Sequence, residues 1–246
     1  PDHYALLFTF DISTTSPYLG VLGGLPYGTL DENGIPPDFF SDINVRKGFA
    51  CAFNYSQFIE DMLLGEGYQP ATPIVPGLPF YNPAQARFET DLAESEIFFR
   101  MAWNEQLWNK GFTMTVCYDG PTRQKVCEII KENIERLNPK FHINIQGVSG
   151  DQYTASRDLS ELPMFTLGWV ADFADPHNFA WAFIHSSGLV ARAQKFSNAL
   201  MDTLVVDGIA AVNGTERKNI YNILQDLYHK ECPGVPLFQG SGRRLD

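Results

Sequence analysis

Residues 112–146 read FTMTVCYDGPTRQKVCEIIKENIERLNPKFHINIQ, and this stretch decides the fold class. Apolar side chains alternate with other residues along 112–118 and again along 141–146, which is the pattern of a β-strand. Between the two runs, apolar residues recur at helical spacing after Pro121, a residue that suits the first turn of a helix. A strand, a helix and a strand in so short a stretch form a βαβ unit, whose strands are parallel. We therefore predict an α/β protein.

The same patterns predict the remaining elements. We expect strands at 4–12, 164–167 and 235–238, and helices at 44–64, 84–108, 151–160, 197–212 and 216–230. Asn44 is expected to cap the first of these helices. Residues 13–38 are rich in glycine and proline and form a long connection, and residues 70–83 carry five prolines and form an extended strap.

Composition limits the classes of function. The chain has 246 residues, of which 44% are hydrophobic and 19% are charged, as in a soluble globular protein. Its net charge of -11 argues against a nucleic-acid partner. No apolar run approaches the roughly 20 residues of a membrane helix. The first residues show no targeting signal, and a mature or truncated chain would look the same.

The four cysteines, Cys51, Cys117, Cys127 and Cys232, form no C-x-x-C pair. A zinc ribbon or a thioredoxin-type site is therefore not expected. Their apolar surroundings favour small core residues, although disulfides stay open at this point.

A candidate site follows the buried run that ends at Leu167. Residues 167–176 read LGWVADFADP, so that an indole and two carboxylates emerge where a strand leaves its sheet. Ligands of open α/β sheets lie at such strand ends. The face of Trp169 beside the carboxylate of Asp172 suits a positive amine on an otherwise neutral ligand. Asp175, directly before a proline, is expected to cap a short helix.

Three stretches resemble the C-terminal part of the family 5 extracellular solute-binding proteins, the oligopeptide-, dipeptide- and nickel-binding proteins of ABC importers. They are DINVRKGFA at 42–50 with FNY at 53–55 and LGEG at 64–67, GWVADFADP at 168–176, and CPGVPLF at 232–238. The resemblance implies a lobe like that of a periplasmic binding protein, with a mostly parallel sheet flanked by helices.

The resemblance also implies a domain organisation. Residues 1–38 would be a strand and a long connection from the interlobe region, and residues 39–234 the C-terminal ligand-binding lobe. Residues 235–246 would be a strand returning toward an N-terminal lobe, which no part of this chain matches. The implied function is substrate binding for an ABC importer by closure of two lobes on a peptide or similar solute, with this chain supplying one lobe.

In the peptide-binding relatives, an aspartate at the position of Asp172 pairs with the α-ammonium of the ligand. The backbone of Val170 and Ala171 could then pair with an extended peptide, beside the indole of Trp169. Some of these relatives carry an arginine three residues before the tryptophan, whereas this chain has Thr166, which weakens the case for a peptide of fixed length.

Two weaker candidates come from a rough alignment with the family. Asp119 lies at the end of a strand, where it could also cap the next helix. Arg157 could bind a ligand carboxylate, or it could simply lie on a solvated helix face.

The resemblance further implies a binding protein that is not an enzyme and that needs no cofactor or resident metal. The expected partners are the solute and the membrane permease of the importer, and the protein is expected to be monomeric, periplasmic or extracellular, and membrane-associated. Three alternatives stay open: a peptide-sensing or chaperone-like interaction module, a nickel- or sugar-binding member of the family, and a metal-dependent hydrolase. The last would use Asp172, Asp175, His177 and His185, but the chain lacks a spaced metal motif such as H-E-x-x-H.

Overall fold

The structure of the protein is a computed structural model that describes residues 2–240. In this range the strands are β1 (Asp2–Phe8), β2 (Gly67–Tyr68), β3 (Phe112–Tyr118), β4 (Phe141–Gly147), β5 (Met164–Val170) and β6 (Gly234–Gly240). The helices are α1 (Ile43–Ala52), α2 (Tyr55–Leu63), α3 (Leu92–Glu105), α4 (Leu107–Lys110), α5 (Pro121–Leu137), α6 (Gly150–Asp158), α7 (Pro176–Phe183), α8 (Leu189–Ala193), α9 (Ala199–Ala210) and α10 (Gly214–Glu231), with a 3-10 turn at Phe39–Ser41.

The described chain divides into two compact units. The first contains residues 2–6, 59–88 and 166–240, and the second contains residues 7–58 and 89–165. The expected division into 1–38, 39–234 and 235–246 stays a prediction, and the part of the returning strand at 241–246 lies outside the described residues.

The second unit contains the βαβ unit that the sequence predicts. Strands β3 and β4 pair in parallel, with Phe112 opposite Phe141 and Tyr118 opposite Gly147, and α5 connects them. The rings of Phe112 and Phe141 lie 4.6 Å apart, and Phe99 of α3 packs against Phe141 at 5.3 Å. The aromatic ends of the two strands therefore form the core between this small sheet and its helices.

The four-stranded sheet differs from the expected one. Its order is β2-β6-β1-β5, and it is antiparallel, with Gly67 of β2 opposite Gly240 of β6. The prediction of a mostly parallel sheet is therefore wrong, since within residues 2–240 the parallel sheet is the two-stranded β3–β4 pair. The reason is that the alternation of side chains reveals a strand, but neither its neighbours in the sheet nor the direction in which they pair.

The predicted helix at 44–64 is two helices. The backbone is extended at Phe53 (φ -73°, ψ 129°), and the Asn54 side chain accepts a hydrogen bond from the amide of Gln57, 3.1 Å away, where α2 begins. Asp42, and not Asn44, caps α1, because its carboxylate accepts from the Asn44 amide at 2.7 Å. A polar residue can start a new helix inside an apolar pattern, so periodicity alone merges neighbouring helices.

The other boundaries shift less. The helix predicted at 84–108 starts later, with α3, whose N-cap is Asp91. It is interrupted between α3 and α4, and α4 ends at Gly111 (φ 76°), the predicted stop. Strand β1 ends at Phe8 instead of residue 12. Residues 13–38 and 70–83 contain no helix and no extended strand, as predicted.

The cysteines confirm the expectation of small core residues. All four are free and buried. Burial raises the pKa of the Cys117 and Cys127 thiols to about 12, so both stay protonated at neutral pH.

In the first unit, a glycine allows a tight approach under β5. A Cβ atom on Gly168 would lie 3.1 Å from Cδ2 of Tyr4, whose hydroxyl bonds to Oγ1 of Thr166 at 2.8 Å. The Tyr4 ring also packs against Phe238 of β6 at 5.0 Å. Gly168 thus lets an aromatic layer lie directly beneath the strand end that carries Trp169.

Helix α7 is fixed by the carboxylate of Asp175. As the sequence predicts, this carboxylate caps the helix, because it accepts from the amide of His177 at 2.8 Å. It also forms a bidentate ion pair with Nη2 of Arg217, at 2.8 and 2.9 Å. Arg217 donates in addition from Nε to the carbonyl of Gly208, and its guanidinium lies 5.4 Å from the ring of Tyr221. We call the pair of Asp175 and Arg217 the α7 clamp.

We expect a double-mutant cycle to detect the α7 clamp. Asp175→Asn keeps an oxygen for the cap but removes the charge, and Arg217→Met keeps an apolar stem. Because the side chains are only 25% and 18% exposed, each change should lower the free energy of unfolding by about 1–3 kcal/mol, with a coupling energy of about 1–2 kcal/mol. Urea unfolding of the four proteins measures both values, and Asp207→Asn, an exposed carboxylate on α9, is the control. Strictly additive effects would contradict the clamp.

His3 should make folding sensitive to acid. It is buried in β1 against the ring edges of Phe183 and Phe179, and burial lowers its pKa from 6.5 to about 3. Between these values the unfolded chain binds a proton that the folded chain does not, so stability is lost as the pH falls below about 6.5, by up to about 1.4 kcal/mol per unit. His3→Leu should lose less stability than the wild type between pH 7 and pH 4, whereas the control His142→Gln, at an exposed position, should follow the wild type. A stability difference between His3→Leu and wild type that stays constant over this pH range would refute the expectation.

Candidate functional site

Trp169 lies at the end of β5, which is an edge strand of the four-stranded sheet. Its indole Nε1 donates to Oδ1 of Asn178 at 2.7 Å, and its ring meets the ring of Phe183 edge-on at 6.3 Å. One end of the indole is thus anchored in α7, which fixes the orientation of the ring.

Asp172 follows β5 and is exposed. Its Oδ2 accepts a hydrogen bond from Nδ2 of Asn178 at 3.0 Å. Asn178 is only 8% exposed and bridges the two predicted site residues, since it accepts from Trp169 and donates to Asp172. The structure therefore brings Trp169 and Asp172 together through a side chain that the sequence analysis did not identify.

The sequence carries only a weak signal for Asn178. It lies in the first turn of α7, two residues after Pro176, where an amide is common for reasons of capping alone. Its partners Trp169 and Asp172 are nine and six residues away in a different element, so no local pattern identifies it.

A cavity of about 460 Å³ opens beside these side chains. This volume lies within the range of about 300–1,000 Å³ that is usual for small-ligand sites. Its lining residues all belong to the first unit: Trp169, Asp172, Phe173, His177, Asn178, Trp181, Ala182 and Leu189. Three large aromatic rings and one carboxylate thus face the same space.

Two imidazole rings lie near the indole of Trp181. The ring of His185 stacks on it at 4.1 Å with an angle of 17°, and the ring of His177 lies 5.8 Å away on the preceding helical turn. The indole nevertheless stays 41% exposed. This arrangement gives the cavity a fixed aromatic wall that little of the protein covers.

The cavity carries one negative charge at neutral pH. Burial is the main cause that lowers the pKa of His177 below its usual value, although Asp175 opposes the shift. His177 is therefore neutral at pH 7, and among the lining residues that the structure describes Asp172 alone has a full charge. Such a site favours ligands that combine apolar rings with a cationic group.

The remaining candidates on β5 lie at its open edge. Val170 is 72% exposed, and Ala171 is half-buried directly after the strand ends. Thr166 stands at the position where some relatives have arginine. Its side chain is buried and forms a hydrogen bond with the hydroxyl of Tyr4. The backbone beside Trp169 is thus at the edge of a sheet, where an extended ligand could add a strand.

Asp119 and Arg157 belong to the second unit, and each forms an ion pair with a residue close to it in the chain. Asp119 pairs with Nη1 of Arg123 at 2.6 Å, and Gly120 takes the cap position of α5. Arg157 on α6 pairs with Asp158 at 2.8 Å. A role for either residue in ligand binding stays a prediction.

The hydrolase alternative gains no geometric support. Asp175 is engaged by Arg217 and by the cap of α7, and Asp172 by Asn178. Over residues 2–240, no group of three or more His, Cys, Asp or Glu side chains is placed to hold a metal ion.

No helix in the described part of the chain has both the length and the apolar character needed to cross a membrane.

Comparison with known proteins assigns the chain to a family. Residues 17–189 match the family described as "Bacterial extracellular solute-binding proteins, family 5 Middle". Among curated proteins, the chain is similar to heme-binding protein A of Haemophilus influenzae, at 22% identity over 206 residues, which cover 82% of this chain and 37% of that protein. It is also similar to the periplasmic oligopeptide-binding protein OppA of Salmonella typhimurium, at 20% identity over 210 residues, covering 84% and 38%.

A solved structure with a similar fold is that of the ABC transporter-associated periplasmic binding protein DppA from Helicobacter pylori in complex with the peptide STSA. It superposes with a TM-score of 0.74 at 20% identity, over 96% of this chain and 41% of that one. The α/β fold of periplasmic binding proteins is thereby confirmed. The chain spans about two fifths of the length of the curated relatives it matches. It belongs to the bacterial extracellular solute-binding proteins of family 5, which are binding proteins and not enzymes, as the sequence predicted.

Proposed function

We propose that this chain is the ligand-binding part of the substrate-binding protein of an ABC importer, and that it binds the N-terminal end of peptides. The observation that carries the proposal is the group formed by Trp169, Asn178 and Asp172 at the end of an edge strand. It offers a carboxylate of fixed orientation beside an aromatic face. An α-ammonium group is the common peptide feature that such a pair recognises.

Asn178 gives Asp172 its orientation. An exposed carboxylate on a turn would otherwise sample several rotamers, and ordering it would cost conformational entropy on binding. The hydrogen bond from Nδ2 of Asn178 occupies one oxygen of Asp172. The other oxygen can then accept from a ligand ammonium, so the site is partly organised before the ligand arrives.

The backbone would bind the rest of the peptide. Beyond the ammonium, a peptide running along the open edge of β5 could pair with the main chain of Val170 and Ala171, in the manner of an added strand. This mode reads the main chain and tolerates different side chains. The peptide complex of the structurally similar protein from Helicobacter pylori is consistent with this proposal.

Import would require two lobes. We propose that a second lobe closes over the ligand and that this chain supplies one of the two lobes, because hinge closure of two domains is how periplasmic binding proteins enclose their ligands. A role of Asp119 and Arg157 in ligand binding, which the family resemblance implies, is part of the proposal as well. The proposed partner is the membrane permease of the importer, and the proposed state is a monomer. We propose a location outside the cytoplasmic membrane, since the similar OppA of Salmonella typhimurium is a periplasmic protein.

Replacement of Asp172 tests the ammonium contact. Asp172→Asn keeps the shape of the side chain and can keep a hydrogen bond with Asn178, but it removes the charge. We expect the affinity for a free-amine tripeptide to fall about tenfold or more, while the weak binding of the N-acetylated peptide barely changes. Isothermal titration calorimetry measures both, with Asp207→Asn as the matched control. Equal affinity of the wild type for free and acetylated peptides would exclude an ammonium site.

A second candidate ligand is heme. The cavity has an aromatic lining, the imidazoles of His177 and His185 lie against Trp181, and a relative that the chain matches is named a heme-binding protein. Flat apolar rings and imidazole are the groups that hold heme in proteins. Titration with hemin, followed by its absorption band, should give a saturable shift that His185→Gln or His177→Gln weakens if heme is the ligand. Binding that no cavity variant changes would reject this candidate.

A further inference from the structure

The aromatic cavity is next to the proposed ammonium site. Asp172 lines the cavity together with Phe173 and Trp181. In a peptide, the first side chain and the α-ammonium are attached to the same carbon atom. If Asp172 holds the ammonium, the first side chain must therefore lie within a few ångströms of this carboxylate, where the cavity offers the space.

The walls of the cavity suit a large apolar side chain. Phe173 is 53% exposed and Trp181 is 41% exposed, although both are large hydrophobic residues, and both line the same cavity. Neighbouring apolar rings of this kind commonly mark a binding surface. A ligand ring placed between them would remove apolar surface of both partners from water, which is the main source of affinity in small-ligand sites.

The aromatic wall is ordered before binding. His185 stacks on one face of Trp181, and His177 lies near it on the preceding turn, so the indole cannot rotate freely. The α7 clamp holds the first turn of the helix that carries His177 and Trp181. Binding to a wall that is already ordered costs little further side-chain entropy. An ordered wall also favours ligand side chains that fit its shape over those that do not.

The charges of the cavity act against acidic side chains. Asp172 is the one fully charged lining residue in the described part of the chain, and the neutral His177 adds no positive charge. A glutamate at the first position of a peptide would bring a second carboxylate near Asp172 without any cation in the lining to compensate it. Like charges in a partly dry site repel each other strongly.

We propose that this cavity is a specificity pocket for the first side chain of the bound peptide, which accepts aromatic and large aliphatic side chains and rejects acidic ones. The proposal rests on the proposed function, because it takes the ammonium position from Asp172. It goes further in that it makes the protein selective at the N-terminal residue.

The test is a series of tripeptides X-Ala-Ala with a free amine, titrated into the purified protein by calorimetry. We expect X = Phe to bind about tenfold or more tightly than X = Ala, with X = Leu between them. X = Glu should bind about tenfold more weakly than the isosteric X = Gln. Trp181→Ala should abolish the advantage of Phe over Ala, whereas Trp181→Phe should keep most of it.

Two controls separate the pocket from the ammonium site. Leu200→Ala removes an exposed apolar side chain of α9, outside the cavity lining, and should change nothing. Asp172→Asn should weaken all free-amine peptides by a similar factor and leave the order Phe, Leu, Ala unchanged. Because Trp181 is partly exposed, its variants are expected to fold, and circular dichroism verifies this.

Each outcome decides the proposal. Equal affinity for Phe, Ala and Glu at the first position, together with a clear effect of Asp172→Asn, would overturn the specificity pocket and leave the proposed function intact. A preference for Phe that Trp181→Ala leaves unchanged would also overturn it. If no peptide of the series binds at all, both the proposed function and the pocket fail.

Discussion

The carboxylate of Asp175 is the constraint on which the rest of the candidate site depends. It accepts from the first turn of α7 and, at the same time, from the guanidinium of Arg217 on α10. The start of α7 is thereby fixed in position and direction. Because His177, Asn178 and Trp181 all lie on this helix, an ion pair outside the cavity lining positions one wall of the cavity.

The other half of the site is a strand end. Gly168 allows Tyr4 to pack directly under β5, and Trp169 then leaves the sheet with its indole bonded to Asn178. The sequence argument placed a ligand here because parallel sheets bind ligands at their strand ends. The larger sheet is antiparallel, so that argument does not apply to it. The physical support for the site comes instead from the open edge of β5 and from the ring-lined cavity beside it.

Features that depend on residues close together in the chain were predicted correctly in two cases and incorrectly in one. The cap at Asp175 followed from an aspartate before a proline, and the parallel β3–β4 pair followed from two alternating runs around a helical stripe. The helix at 44–64 was predicted as one because its apolar spacing continues past Phe53. Asn54 starts a new helix there, and periodicity does not register such a restart.

The sequence by itself determined the βαβ unit, the cap of α7 and the family, because these depend on neighbouring residues whose spacing is visible in one chain. It also indicated Trp169 and Asp172, which lie within one short run. Only the tertiary structure decided that β5 is an edge strand, that Asn178 joins the two site residues, and that Trp181 and Leu189 complete a cavity. These features depend on which distant segments pack together and in which direction, and the free energies of such packing leave no periodic trace in the sequence.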